Sequence, residues 1–149
     1  MTVGRHDTHD PSMAAAARAI GPARLLFVLA AWLFVVSVVI QTILVGFDIF
    51  AHMGGSIHRD FAYVYGWLAP ILVLLAGVAR VPARLRTITI VLLVAFAVQT
   101  VLPSLKDQYP FLSAFHTVNA LLIFGLGVTL ARRATDWVRG LSTAEPMTP

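Results

Sequence analysis

The sequence repeats itself across an offset of 58 residues. Gln41-Thr42-Ile43-Leu44 returns as Gln99-Thr100-Val101-Leu102, and 17 residues after each glutamine stands a histidine, His58 and His116. Two apolar stretches flank each spacing, so the repeating unit reads as a helical hairpin and the chain as two hairpins in tandem, residues 25–79 and 88–131. A duplicated hairpin with one histidine per copy presents two imidazoles to one another across a two-fold axis. That geometry suits a metal, above all a haem iron.

The fold class follows from where the apolar residues lie. Of 149 residues, 58% are hydrophobic and only 12% charged. Continuous apolar runs cover residues 25–47, 61–79, 88–105 and 111–131. About 20 helical residues cross about 30 Å of hydrocarbon, so each run is long enough with its flanks. The runs lack the period-two alternation of membrane strands. The expected fold is an all-α, polytopic four-helix membrane bundle with pseudo-two-fold symmetry. It occupies residues 23–133, between a flexible tail at 1–22 and a second tail at 134–149. The first run is too long for a signal-peptide core, and removing it would leave the Gln99 helix without its repeat partner.

Charge orients the bundle. Arg18 and Arg24 precede the first run; Arg80, Arg84 and Arg86 separate the second from the third; Arg132, Arg133 and Arg139 follow the fourth. The two opposite loops hold only Arg59 and Lys106, beside Asp48, Asp60 and Asp107. The positive-inside rule puts both termini in the cytoplasm and the histidine-bearing ends outside. These cations sit where topology wants them and form no aromatic-interleaved groove, which argues against a nucleic-acid partner. The chain has no cysteine, excluding disulfides, Cys-ligated iron–sulfur clusters and haem attached through the usual CxxCH motif. Zinc-peptidase, phosphate-loop and dinucleotide fingerprints are absent as well.

Helical rise puts His116 roughly 22 Å from the inner boundary, Gln99 about 18 Å and Gln41 about 24 Å. His58 falls higher, on a helix that Pro70 can kink. The four residues therefore share one layer in the outer half, with His58 and His116 on helices that lie across a diagonal. Ala62 and Gly66 follow His58 on nearly the same face, as Ala120 follows His116. Such small residues let helices approach or leave room for a flat macrocycle.

Two neutral imidazoles can fill both axial positions of a haem b iron, with Gln41 and Gln99 at the right depth to hold their rings and Arg59 or Lys106 near the propionates. Asn119, one turn after His116, and Tyr63 and Tyr65, after His58, are placed to tune the site or touch a quinone. A non-haem metal would draw on Asp48, His52, His58 and Asp60, whose spacing matches no metal motif. The plain alternative is that His58 anchors its helix at the interface and His116 bonds inside the bundle. His6 and His9 lie in the N-terminal tail and read as solvent-exposed.

Three segments carry a resemblance: Gln41-Thr42-Ile43-Leu44-Val45-Gly46, His58-Arg59, and His116-Thr117-Val118-Asn119-Ala120-Leu121-Leu122-Ile123-Phe124. Together the pattern resembles a bacterial, largely actinobacterial, domain-of-unknown-function family of small four-helix membrane proteins, over about residues 25–133. That resemblance implies no particular activity. At the level of architecture the paired histidines also resemble the haem-binding halves of haem A synthase and the b-type membrane cytochromes. That likeness is architectural only, since haem A synthase has two four-helix units where this chain has one. The residues themselves lead to the expectation of a single bis-histidine haem near the extracytoplasmic face that passes one electron at a time to or from quinone or a membrane oxidoreductase. The inner half of the spans has no histidine, so a second haem is not expected. Three other expectations stay open: a non-catalytic structural or accessory subunit, a haem sensor or carrier, and a homo-oligomer sharing ligands between chains. The expected location is a bacterial cell membrane, in contact with lipid.

Overall fold

In a bilayer the backbone must satisfy its own polar groups, and this chain does so almost wholly as helix. The computed structural model describes residues 11–52 and 56–143. Its elements are α1 (Pro11–Phe50), α2 (Ser56–Tyr65), α3 (Leu68–Val78), α4 (Ala83–Val101), a 3-10 turn (Leu102–Leu105) and α5 (Pro110–Thr143). Four segments are long and apolar enough to cross a membrane: Gly21–Phe50, Ser56–Val78, Ala83–Leu105 and Pro110–Gly140. Each is longer than the apolar run that foretold it, and His58 lies inside the second.

The segment read as a flexible tail divides. Residues 11–22 continue α1 as helix, in keeping with the strong helix preference of the Ala14–Ala17 run. Residues 1–10, with His6 and His9, and the end of the chain from residue 144 lie outside the described residues.

The spans pack as an antiparallel ring. α1 lies against α2, α3 and α5, and α4 against α3 and α5. The second and fourth spans therefore face each other across a diagonal. Ring neighbours are what short loops dictate. The outer surface is apolar: Leu74, Val94 and Leu121 are exposed, as lipid-facing side chains must be. Hydroxyls within the spans are tied to backbone a turn away, Ser37 Oγ to Leu33 O at 2.9 Å and Thr89 Oγ1 to Leu85 O at 2.9 Å.

Burial is concentrated at the Arg-rich end. Phe27, Leu72, Leu92 and Leu130 are fully enclosed there. Above them lies an aromatic layer. Phe34 sits 6.0 Å from Tyr65 and 6.1 Å from Phe96, and Tyr65 meets Phe96 edge-on at 5.5 Å. At the Arg-rich end itself the guanidinium of Arg24 lies 5.3 Å from the Trp137 ring, and Trp32 Nε1 donates to Thr135 Oγ1 at 3.1 Å.

Two backbone features shape the second span. Pro70 has no N–H to give Gly66 O, and its ring crowds that carbonyl, so the helix breaks at Gly66–Trp67. Ala69 N takes the carbonyl instead, at 3.2 Å. Phe96 closes on the break: a Cβ at Gly66 would stand 3.0 Å from Phe96 Cε1 and 2.8 Å from Ala62 O. The span then ends in a Schellman turn, with Val81 N donating to Ala76 O and Arg80 N to Gly77 O, both at 3.1 Å. This geometry puts Arg80 at φ 51, left-handed space that suits glycine. Arg80→Gly is expected to gain up to about 1 kcal/mol and Arg80→Val to lose a similar amount. Thermal unfolding in detergent measures both.

Candidate functional site

Beyond the level of Val38, Tyr65, Phe96 and Ile123, toward the histidine end, no described residue is buried, and the bundle opens into a cavity of about 560 Å³. Val38, Tyr65, Phe96 and Ile123 form its floor, each both buried and on its lining. His58 and His116 line it from α2 and α5, Gln41 and Gln99 from α1 and α4.

The cavity inherits the symmetry of the sequence. Of its 18 lining residues, 16 form eight pairs separated by 58 positions. They include Val38 with Phe96, Gln41 with Gln99, Thr42 with Thr100, His58 with His116, and Ala62 with Ala120. Only Tyr63 and Ser104 line it without their repeat counterparts. The sequence reading stopped at the glutamines, histidines and alanines. Carrying the same offset to Val38, Val45, Thr117 and Ile123 finds the rest.

Each glutamine meets the histidine of its own repeat. In the second repeat the network is closed and anchored on backbone. Asn119 Nδ2 donates to Ala95 O at 2.9 Å, which fixes its amide, and to Gln99 Oε1 at 2.8 Å. Gln99 Nε2 must then face His116 Nε2, at 3.1 Å, as donor to a lone pair. His116 carries its proton on Nδ1, which donates to Gln99 O at 3.1 Å. Tautomer and ring orientation are set by two main-chain carbonyls.

In the first repeat the same contacts are looser. Gln41 Nε2 donates to the main-chain carbonyl of His58 at 3.1 Å and lies 3.4 Å from His58 Nε2. Gln41 Oε1 and His58 Nδ1 are both buried without a partner. An unsatisfied buried polar atom costs about 1–3 kcal/mol.

Of the residues singled out by sequence, His58, His116, Gln41, Gln99, Arg59, Ala62 and Ala120 line the cavity. Asn119 does not, because three residues past His116 it turns behind Gln99 and steadies it. Gly66 does not either: on the same unbroken helix but about two turns below His58, it lies at the level of the floor and packs on Phe96. Lys106 is exposed and off the lining. Arg59 and Asp60 pair at 3.9 Å, both well exposed, an ion pair worth little. Among the described residues no three His, Cys, Asp or Glu side chains come together, so the alternative set of Asp48, His52, His58 and Asp60 is not assembled.

No family model, curated protein or solved structure matches this chain; what its own structure gives is an all-helical, four-helix bundle whose spans are long and apolar enough to cross a membrane.

Proposed function

We propose that this membrane protein holds one b-type haem between His58 and His116. The observation that carries the reading is that two histidines 58 residues apart, on spans that face across a diagonal, line a single cavity. The donor set fits the group. It consists of imidazoles above an apolar, largely aromatic floor, with an alanine one turn after each histidine. The volume lies within the roughly 300–1,000 Å³ usual for cofactor sites.

When bound, the haem supplies reversible one-electron transfer. The protein's part is to bind and orient it. His116 keeps its proton on Nδ1 through the Gln99 carbonyl, which leaves the Nε2 lone pair for a metal once the Gln99 amide withdraws. Arg59 is the lining cation suited to a propionate. The packed Arg-rich half separates the site from the cytoplasm in the orientation that the positive-inside rule favours. On this reading the electron partner, a quinone or a membrane oxidoreductase, works at the extracytoplasmic side of a cell membrane.

One observation favours a second reading. The Asn119–Gln99–His116 network satisfies itself without any ligand, as a polar layer in a structural or accessory subunit would. A dithionite-reduced minus oxidised spectrum of protein purified in detergent from haem-supplemented cells separates the two. Sharp alpha and Soret bands at about one haem per chain are expected. A colourless protein that takes up no added haem would leave the accessory role.

A further inference from the structure

The two walls of the cavity are not equivalent, although the sequence duplicates them. Asn119 has a counterpart 58 positions earlier, and it is Phe61. The amide that locks Gln99 in the second repeat is thus replaced in the first by a ring stacked on Tyr65 at 5.3 Å. Gln41 Oε1 is left partnerless as a result; His58 Nδ1 is partnerless too, whereas His116 Nδ1 donates to the main-chain carbonyl of Gln99.

The backbone repeats this difference. His116 sits within the 34-residue α5, which packs along both α1 and α4. His58 sits on the ten-residue α2, which packs along α1 and is cut from α3 by the break at Gly66–Trp67. A ring without a hydrogen bond at Nδ1, on a short helix with a joint below it, has little to hold its orientation.

We propose that, with haem in place, His116 is the fixed axial ligand and His58 the exchangeable one, so that a small neutral π-acceptor ligand of the carbon monoxide type binds the iron on the first-repeat side. This rests on the haem reading above. The step is a ligand substitution at ferrous iron. The bond from iron to His58 breaks, the bond from iron to the incoming carbon forms, and no electron or proton changes hands. The site then senses or carries a small ligand in addition to passing electrons.

Carbon monoxide binding to the dithionite-reduced, haem-loaded full-length protein tests this. At saturating carbon monoxide the wild-type rate equals the rate at which a histidine leaves. Phe61→Asn gives Gln41 Oε1 a donor, which turns the Gln41 amide N–H onto His58 Nε2 as in the second repeat, and is expected to speed that release about fivefold, the effect of one net hydrogen bond competing with the iron. Phe61→Leu removes the ring without adding a donor and is expected not to speed it. Should Phe61→Asn fail to fold, ¹⁵N-histidine NMR of the diamagnetic wild-type carbon monoxide complex reads the same point. One ring returns to free-imidazole shifts, and it is the ring that His58→Ala deletes from the spectrum. Release of His116 instead, equal rates in both Phe61 variants, or a haem that carbon monoxide never enters would overturn the proposal while leaving the haem reading intact. A wild type that binds no haem overturns both.

Discussion

His116→Ala is expected to abolish haem binding, with affinity falling by more than about a hundredfold, whereas His58→Ala is expected to keep the haem and lose only its low-spin spectrum. Changing a residue behind a metal ligand already costs about 10–100-fold in affinity, and on the haem reading His116 would be the ligand itself, with the support behind its Nδ1 already built. Its Nδ1 is held by the main-chain carbonyl of Gln99. His58 has no comparable support, so its loss should empty one axial position without releasing the group. Haem content per chain and the reduced spectrum of the two variants measure this directly. His52→Ala serves as control, since His52 does not line the cavity. Unchanged spectra in both cavity variants would remove the haem reading altogether.

Phe34→Ala is expected to destabilise the bundle by about 3 kcal/mol. Phe34 has no exposed surface, and its ring touches the aromatic floor through Tyr65 and Phe96. On its other side lies α5: a Cβ added at Gly127 would meet Phe34 Cδ1 at 3.4 Å. One side chain thus ties α1 to three other helices. In water-soluble cores Phe→Ala costs about 3–5 kcal/mol, part of it lost transfer energy. Lipid tails are as apolar as the protein interior, so the transfer part shrinks and the lost van der Waals contact remains. That argues for the lower end of the range. Unfolding in mixed micelles measures it, and a loss below about 1 kcal/mol would mean that the floor collapses to fill the space.

Much of this architecture was legible in the sequence because membrane physics leaves few options. Four apolar runs gave four spans, and the shared offset of the glutamines and histidines led to one cavity. The rest depended on local geometry that periodicity does not carry. Gly66 follows His58 on one continuous helix, its N–H bonded to Ala62 O at 3.0 Å, but about two turns further in it has reached the floor and meets Phe96. Asn119 was read as facing a ligand, since three residues past a histidine lies on the same side of a helix. That direction instead leads to the neighbouring α4 and to Gln99. The helical start of α1 at Pro11 escaped because polar and small residues outside an apolar run read as tail. The inequality of the walls was visible all along in Phe61 against Asn119. It acquired meaning only when the structure showed what Asn119 holds.

The eight lining pairs have one more consequence. Two separate copies of a single hairpin, meeting about an axis, would enclose a similar space but would be bound to strict symmetry, since any substitution would appear on both walls at once. Joining the copies in one chain through the turn at Arg80–Pro82 removes that constraint. Phe61 and Asn119 record the freedom so gained: one wall could become rigid while the other stayed loose. Fusion thus allowed a division of labour that an assembly of identical subunits cannot encode.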